Sequence, residues 1–203
     1  MEFQAPRDAD RSVMRGFVAA GGQSTRMGRD KARLAWGTGS LLEHAARRVL
    51  GACGNVEILC GPERRYEDLG FPVRVDVVRD AGPLGGLLTA LETGDDVLLL
   101  GVDLPAVPEA LLGRLVELRA EADIIAPVLP SGPEPLCAVY AGGCRAAVAQ
   151  AVERADLRMR GFWKGLRVRE LREPELSAFG DPRALFRNVN TPEDYAGAST
   201  KER

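Results

Sequence analysis

The amino-acid sequence predicts an α/β fold of three layers, αβα, on a mostly parallel, Rossmann-like sheet. Three observations carry this expectation. Short, continuous apolar runs recur along the chain, as strands covered on both faces require. Segments of helical spacing separate them. Glycine- and proline-rich stops close nearly every run. The first run, Gly16-Phe17-Val18-Ala19-Ala20, meets Gly21-Gly22 and reads as a buried strand entering a tight turn. Helical spacing over 41–50 ends at Gly51. A second strand is expected over 56–60, stopped by Gly61-Pro62, and a third over 73–78, closed by Asp80-Ala81-Gly82-Pro83. A helix over 84–91, a fourth strand over 97–101, a helix over 111–120 and a fifth strand over 123–128 follow. The Pro- and Gly-rich stretch 127–140 suggests a hairpin-like excursion; 142–152 reads as a helix and 165–171 as one more strand. Near the end, Phe186-Arg187-Asn188-Val189-Asn190 reads as a short strand leading into a helix capped by Thr191, with Pro192 in its first turn. Residues 1–13 read as a flexible leader, 14–197 as a single domain and 198–203 as a tail.

Composition narrows the function. The 203 residues are 45% hydrophobic and 28% charged, with a formal net charge of -2. That balance argues against a nucleic-acid binder built on a broad basic face. No apolar run approaches the roughly 20 residues of a membrane helix, and residues 1–14 carry no apolar signal region, so no membrane association and a cytoplasmic location are expected. Cys53, Cys60, Cys137 and Cys144 form no CxxC pair, so they read as small buried hydrophobes rather than a zinc or redox site. The single histidine, His44, excludes a His-based triad and a multi-His metal site by counting, and its helical context points to packing or capping.

The most informative stretch is Ala19-Ala20-Gly21-Gly22-Gln23-Ser24-Thr25-Arg26-Met27-Gly28-Arg29-Asp30-Lys31. A polyphosphate needs backbone N–H groups brought close to it, and glycine allows that approach. Arg26 offers a planar fork for phosphate oxygens and Lys31 a movable point charge. The stretch is neither a Walker loop nor a GxGxxG dinucleotide fingerprint. A glycine-rich basic surface turn is the plain alternative. The order of residues resembles the signature AGG-x-S-x-R-M-G-x-x-K of nucleotidyltransferases that make nucleotide-sugars and related products, and is most similar to the molybdenum cofactor guanylyltransferase family. Ala19 stands where the signature usually has leucine.

Two further segments extend the resemblance. Asp80-Ala81-Gly82-Pro83-Leu84-Gly85-Gly86 sits at a strand-to-helix junction, where glycine and proline let backbone approach a bulky ligand and Asp80 can accept from a base or ribose; a tight turn opening a helix is the alternative. In the family a GPL-x-G segment with an upstream aspartate belongs to the guanine-nucleotide pocket. Val97-Leu98-Leu99-Leu100-Gly101-Val102-Asp103-Leu104-Pro105 ends a buried strand on a carboxylate, a placement suited to a hard cation, or to capping the next helix. The family has a metal-binding aspartate in this context, which implies Mg²⁺ on Asp103. Asp95 and Asp96 lie at the other end of the strand. Pro135-Leu136-Cys137-Ala138-Val139-Tyr140 resembles the family's P-L-x-A-x-Y segment near the acceptor, and the 186–194 segment its F-x-N-x-N-T-P-E-D close. Asn188 and Asn190, two apart, would share a strand face; turn and cap chemistry is the alternative. Relatives often carry an asparagine where this chain has Cys60-Gly61-Pro62.

The resemblance implies a nucleotide-diphospho-sugar transferase-like fold and transfer of GMP from GTP to a molybdopterin-type acceptor with release of pyrophosphate. It implies catalytic roles for Arg26, Lys31 and Asp103. It implies a nucleotide site of Ala19, Ala20, Gly21, Gly22, Lys31, Asp80, Gly82, Pro83 and Asp103, and an acceptor site near Tyr140, Asn188 and Asn190. Implied partners are GTP, the pterin, and transiently other cofactor-biosynthesis proteins or apo-molybdoenzymes. A cytidylyltransferase for the same pterin, a sugar-1-phosphate nucleotidyltransferase and a non-catalytic pterin carrier are the rival readings.

Overall fold

A computed structural model describes residues 14–22, 30–191 and 194–195. The expected leader and tail, and Arg26 within the loop, lie outside the described residues. In chain order the elements are β1 (Met14–Ala19), β2 (Ala35–Trp36), β3 (Gly39–Ser40), α1 (Leu41–Cys53), β4 (Glu57–Leu59), β5 (Val73–Arg74), α2 (Gly82–Leu91), β6 (Asp96–Gly101), α3 (Glu109–Glu117), β7 (Ile124–Leu129), β8 (Gly132–Pro133), β9 (Cys137–Tyr140), α4 (Arg145–Glu153), β10 (Val168–Leu171) and α5 (Pro182–Leu185). The central sheet has the order β10-β7-β9-β6-β1-β4-β5, with β8 paired to β7. Along that order every pairing is parallel except the two made by β9, which runs antiparallel to β6 and to β7. The mostly parallel α/β sheet expected from sequence is therefore present, and so is the hairpin-like excursion, as β7 and β8.

Side-chain alternation divides the apolar runs between two cores. In β6, Leu98 and Leu100 face the layer of α1 and α3, while Val97 and Leu99 face the layer of α2 and α4. In β1, Val18 goes to the first core and Phe17 to the second. These runs are apolar without alternation because both faces are covered.

The first helix starts on a reciprocal cap: Ser40 Oγ accepts from Glu43 N at 3.3 Å, and Glu43 Oε2 accepts from Ser40 N at 2.8 Å. It runs past Gly51 and stops at Gly54, whose φ of 71° supplies the left-handed cap. The third expected strand is cut to Val73–Arg74. Beyond it the chain leaves the sheet, with Asp76 N donating to Gly61 O at 2.9 Å and Val77 N to Thr89 Oγ1 at 2.9 Å. Residues 186–190 form no strand. Val189 is fully buried and spends its N–H on Asp103 O at 2.9 Å, so the segment docks on the end of β6 rather than on a strand edge. Thr191 does act as a cap, its Oγ1 accepting from Asp194 N at 3.1 Å.

The end of the sheet away from the glycine-rich loop is tied by Asn55. Its Oδ1 accepts from Gly16 N at 3.0 Å, and its Nδ2 donates to Met14 O at 2.8 Å and Cys53 O at 3.1 Å. Asn55→Ala would leave a partly buried donor and acceptor of β1 without partners, a loss of roughly 1–3 kcal/mol. Urea unfolding should show a loss of that size with an unchanged m-value.

Candidate active site

The chain leaves β1 for β4 on one side and later crosses to β6 on the other, so the carboxyl ends of these strands flank a crevice of the kind where open α/β sheets bind ligands. A cleft of about 330 Å³ opens there. Ala19, Gly21, Gly22, Lys31, Asp80, Gly82, Pro83 and Asp103 line it, together with Asp76 and Leu136. Most residues expected to bind nucleotide, drawn from three separate stretches of sequence, thus converge on one cavity.

Three candidate side chains meet here, Lys31 and Asp103 in the lining and Asn190 behind Lys31. Lys31 Nζ donates to Asp103 Oδ2 at 3.2 Å and to Asn190 Oδ1 at 3.0 Å. The Lys31 and Asp103 side chains are only 16% and 17% exposed, so the pair is far less screened than a surface ion pair. Asp103 is fixed by backbone on both sides: Val102 N donates to Ala19 O at 3.2 Å, and Asp103 O accepts from Val189 N at 2.9 Å. Gly101 makes room for it, since a Cβ there would fall 2.6 Å from Asp103 Oδ1.

Gly21 and Gly22 have different reasons to be glycine. A Cβ on Gly21 would lie 2.9 Å from Gly61 Cα, so the loop packs backbone to backbone against the turn after β4. A Cβ on Gly22 would meet nothing within 4 Å among the described atoms, and Gly22 faces the cleft. The Cys60-Gly61-Pro62 departure thus has a steric role: Gly61, at φ 82°, permits the approach of Gly21.

Asp76 escaped the sequence reading. A strand drawn through 78 hides it in a strand interior, whereas the early end of β5 turns it into the cleft. Its Oδ1 is buried and has no hydrogen-bond partner among the described residues, while the nearby Gly61 N–H favours the charged carboxylate. Burial pushes its pKa up to about 6, against the opposing effect of that N–H. Asp80 lies exposed at the rim with φ 59°. Glu134 is the second omission. Its Oε1 accepts from Leu136 N at 3.2 Å, and burial, then the charge of Asp103, raise its pKa, with the Leu136 N–H and Arg160 opposing. The only signal available was its position just before Pro135-Leu136.

Four expected positions among the described residues, Tyr140, Ala20, Asn188 and Asn190, do not line the cavity, and of these Asn190 touches a lining residue through Lys31. Tyr140 is fully buried between β6 and β7, with its hydroxyl donating to Pro135 O at 2.7 Å, so it belongs to the core and not to an acceptor surface. Ala20 is 3% exposed and does not line the cleft; its N–H goes to Leu59 O at 2.9 Å and its carbonyl accepts from the Tyr66 hydroxyl at 3.4 Å. Asn188 is exposed and is not in the lining, because Val189 between it and Asn190 turns inward. His44 has the packing role expected, its Nε2 donating to Pro105 O at 3.0 Å, and the four cysteines are free. No helix among the described residues is long and apolar enough to cross a membrane.

A family model for the MobA-like NTP transferase domain matches residues 16–170. The chain belongs to the MobA-like NTP transferase family. A protein of Pelotomaculum thermopropionicum named "Probable molybdenum cofactor guanylyltransferase" is 31% identical over 185 residues, covering 90% of each chain. One of the same name from Methanothermobacter thermautotrophicus is 32% identical over 191 residues, covering 87% of this chain and 94% of its own. The crystal structure of molybdopterin-guanine dinucleotide biosynthesis protein A from Archaeoglobus fulgidus matches with a TM-score of 0.81 and 23% identity, over 92% of this chain and 97% of that one. Membership of the MobA-like family makes the chain a nucleotidyltransferase.

The raised pKa of Asp76 has a stability consequence. Its folded value, about 6, lies above the unfolded value near 3.9, so its contribution is fully present below about pH 4 and is lost as pH rises through about 6. Relative to Asp76→Asn, the wild-type protein without nucleotide should lose stability across that window and no further above it. Chemical denaturation at pH 4.5 and pH 7.5 reads the difference.

Proposed function

We propose that the protein transfers GMP from GTP to the terminal phosphate of molybdenum-molybdopterin, giving the guanine dinucleotide form of the cofactor and pyrophosphate, in the cytoplasm. The observation that carries this reading is the contact of Lys31 with both Asp103 and Asn190 beside Gly21 and Gly22. The reading makes GTP and a molybdopterin-type acceptor the substrates, with cofactor-biosynthesis proteins or apo-molybdoenzymes as transient partners.

In this reading the triphosphate lies along Gly21 and Gly22, whose N–H groups and nearby cations face it. Lys31 moves its charge from Asp103 towards the phosphates and offsets negative charge that grows on them during transfer. Arg26, outside the described residues, adds a second cation. An oxygen of the acceptor phosphate attacks the α-phosphorus, and the bond to the β-phosphate bridge breaks with its electron pair leaving on pyrophosphate. The attacking phosphate is largely ionised at neutral pH, so no side chain need remove a proton.

A divalent cation fits the residues present. Asp103 and the Asn190 amide offer hard oxygen donors at the strand end, and Mg²⁺ commonly takes one or two carboxylates with the rest from phosphate and water. Such an ion would supply charge neutralisation at the triphosphate. Asp76 suits guanine: its carboxylate lines the cleft and, with a side-chain turn that brings the buried Oδ1 out to the base, can accept from both N1–H and the exocyclic amine of guanine, whereas cytosine presents an acceptor at N3. Asp80 at the rim is assigned to the ribose, with Gly82 and Pro83 against the nucleoside.

Asp103→Ala should stay folded, since backbone contacts anchor that position, and lose pyrophosphate release by about 10²-fold or more at saturating Mg²⁺. Retained turnover, or equal turnover of GTP, CTP and UTP, would reject the assignment. A protein that binds pterin and GTP yet releases no pyrophosphate is a carrier instead.

The base contact has its own test. Asp76→Asn should weaken GTP by roughly tenfold or more and erase most of the preference over CTP. Because the base needs the ionised carboxylate, wild-type affinity for GTP should fall as pH drops below about 6, with that component absent in Asp76→Asn.

A further inference from the structure

We propose that Tyr66 is a positioning residue for the phosphate-binding loop: its hydroxyl holds the Ala20 carbonyl, where the chain leaves β1, and the Asp30 carboxylate, where the chain returns, and through Asp30 it aims Lys31 at Asp103. The inference rests on the triphosphate reading of the cleft.

The geometry is specific. Tyr66 is 2% exposed. Its hydroxyl lies 3.4 Å from Ala20 O and 3.1 Å from Asp30 Oδ1. Both partners are acceptors, so the phenol's single proton is shared between them, mainly with the nearer Asp30 Oδ1 and more weakly with Ala20 O, which Arg65 Nη2 also approaches at 3.5 Å; burial followed by the charge of Asp30 raises the phenol pKa and keeps the proton in place. Ala20 and Asp30 stand on either side of residues 23–29, so one buried group ties the two feet of the loop. Asp30 Oδ1 also accepts from Ala32 N at 3.1 Å, capping the turn Lys31–Arg33. The oxygen that takes the Tyr66 hydroxyl therefore fixes the turn that begins with Lys31, whose ammonium reaches Asp103 and Asn190.

Tyr66 is itself held. The guanidinium carbons of Arg33 and Arg65 lie 5.4 and 5.1 Å from its ring centroid. Arg65 Nη2 donates to Cys60 O at 3.0 Å, in the turn where Gly61 supports Gly21. The Tyr66 backbone sits at φ 72°, a region that non-glycine residues seldom occupy and that persists only where the surroundings enforce it. The segment 60–66 thus forms a platform touching the loop at Ala20, Gly21 and Asp30.

The physical effect is pre-organisation. If fewer molecules hold the Asp30 turn that directs Lys31 to Asp103 and Asn190, apparent affinity for the phosphates falls by that fraction. The loss should fall on the phosphates and leave the base pocket at Asp76 alone.

The test is Tyr66→Phe, which keeps the ring and removes the hydroxyl. Titration with Mg²⁺ and inorganic tripolyphosphate, and separately with guanosine, divides the cleft into its two halves; KM and kcat for GTP and the thermal midpoint complete the set. The tripolyphosphate Kd and the GTP KM should each rise by roughly tenfold, the loss of one hydrogen bond to a charged group, with kcat falling as well because Lys31 acts during transfer, and guanosine binding little changed. Asp30→Ala should give the same selective loss, and the double variant little beyond the larger single effect, since both remove one link. Undiminished tripolyphosphate binding in folded Tyr66→Phe overturns the inference, as does equal weakening of both probes, which would mark a structural role only. If Tyr66→Phe fails to fold, Asp30→Ala decides by the same criteria. Failure of the wild-type protein to bind tripolyphosphate rejects the triphosphate reading and this inference together, whereas wild-type binding with an indifferent Tyr66→Phe rejects the inference alone.

Discussion

Lys31 Nζ can reach Asp103 and Asn190 together only if three distant parts of the chain arrive in register. Lys31 comes from the return of the loop after β1, Asp103 from the end of β6, and Asn190 from a segment near the C-terminus. Each arrival has its own cause. Parallel pairing of β1 with β6 sets Ala19 beside Gly101, so both strands end at one level. The Asp30 cap sets the turn that starts at Lys31. Burial of Val189 and its bond to the Asp103 carbonyl dock the late segment on the same strand end. An ion pair this buried is costly to assemble without good partners, and the amide oxygen of Asn190 supplies a further one to the ammonium.

The sheet explains why chemistry gathers at one edge only. Asp95 and Asp96 are carboxylates on the same strand as Asp103, yet they serve structure: Asp95 pairs with Arg15 at 3.0 Å, and Asp96 accepts from Gly142 N at 3.0 Å. They sit at the amino end of β6, where α4 and β1 begin. The antiparallel run of β9 has a related effect. It enters from the cleft side, so Leu136 at its start lines the cavity while Tyr140 at its end lies in the core. A motif that is contiguous in sequence is thereby split between site and core.

That split marks how far the sequence could be read. Strands buried on both faces announce themselves by composition, so β1, β6 and β7 were legible, as was the loop glycine pair. Boundaries set by tertiary hydrogen bonds were not. Val73 to Val78 is a plausible strand from side chains alone, and only the bonds from Asp76 N to Gly61 and from Val77 N to Thr89 end it early. Asp76 was missed for that reason, while Asp80, a few residues on, was read as an acceptor for base or ribose. Asn188 and Asn190 look equivalent by spacing, but the inward turn of Val189 leaves one in solvent and the other against Lys31. Tyr66 gave no sequence signal, since its partners lie far from it along the chain.

The charges of the cleft bear on the cation. Among the described residues its lining holds three carboxylates, Asp76, Asp80 and Asp103, against one ammonium, Lys31, and Glu134 adds a fourth negative group close to Asp103. Such a site would repel a polyphosphate if nothing else entered with it. Two features relieve the conflict. Asp76 follows β5 and Asp103 follows β6, with β1 and β4 between them in the sheet, so in the proposed reading a guanine donor edge would meet Asp76 while the phosphates would meet Lys31. A divalent cation arriving with the triphosphate would turn Asp103 from a repulsive neighbour into a shared ligand and free Lys31 for the phosphates. Burial already favours the neutral form at Asp76 and Glu134, and at Glu134 the charge of Asp103 adds to it. In the proposed reading, the carboxylates that disfavour a bare anion would favour the anion with its metal, so that discrimination between the two would follow from charge, with Arg26 adding to Lys31.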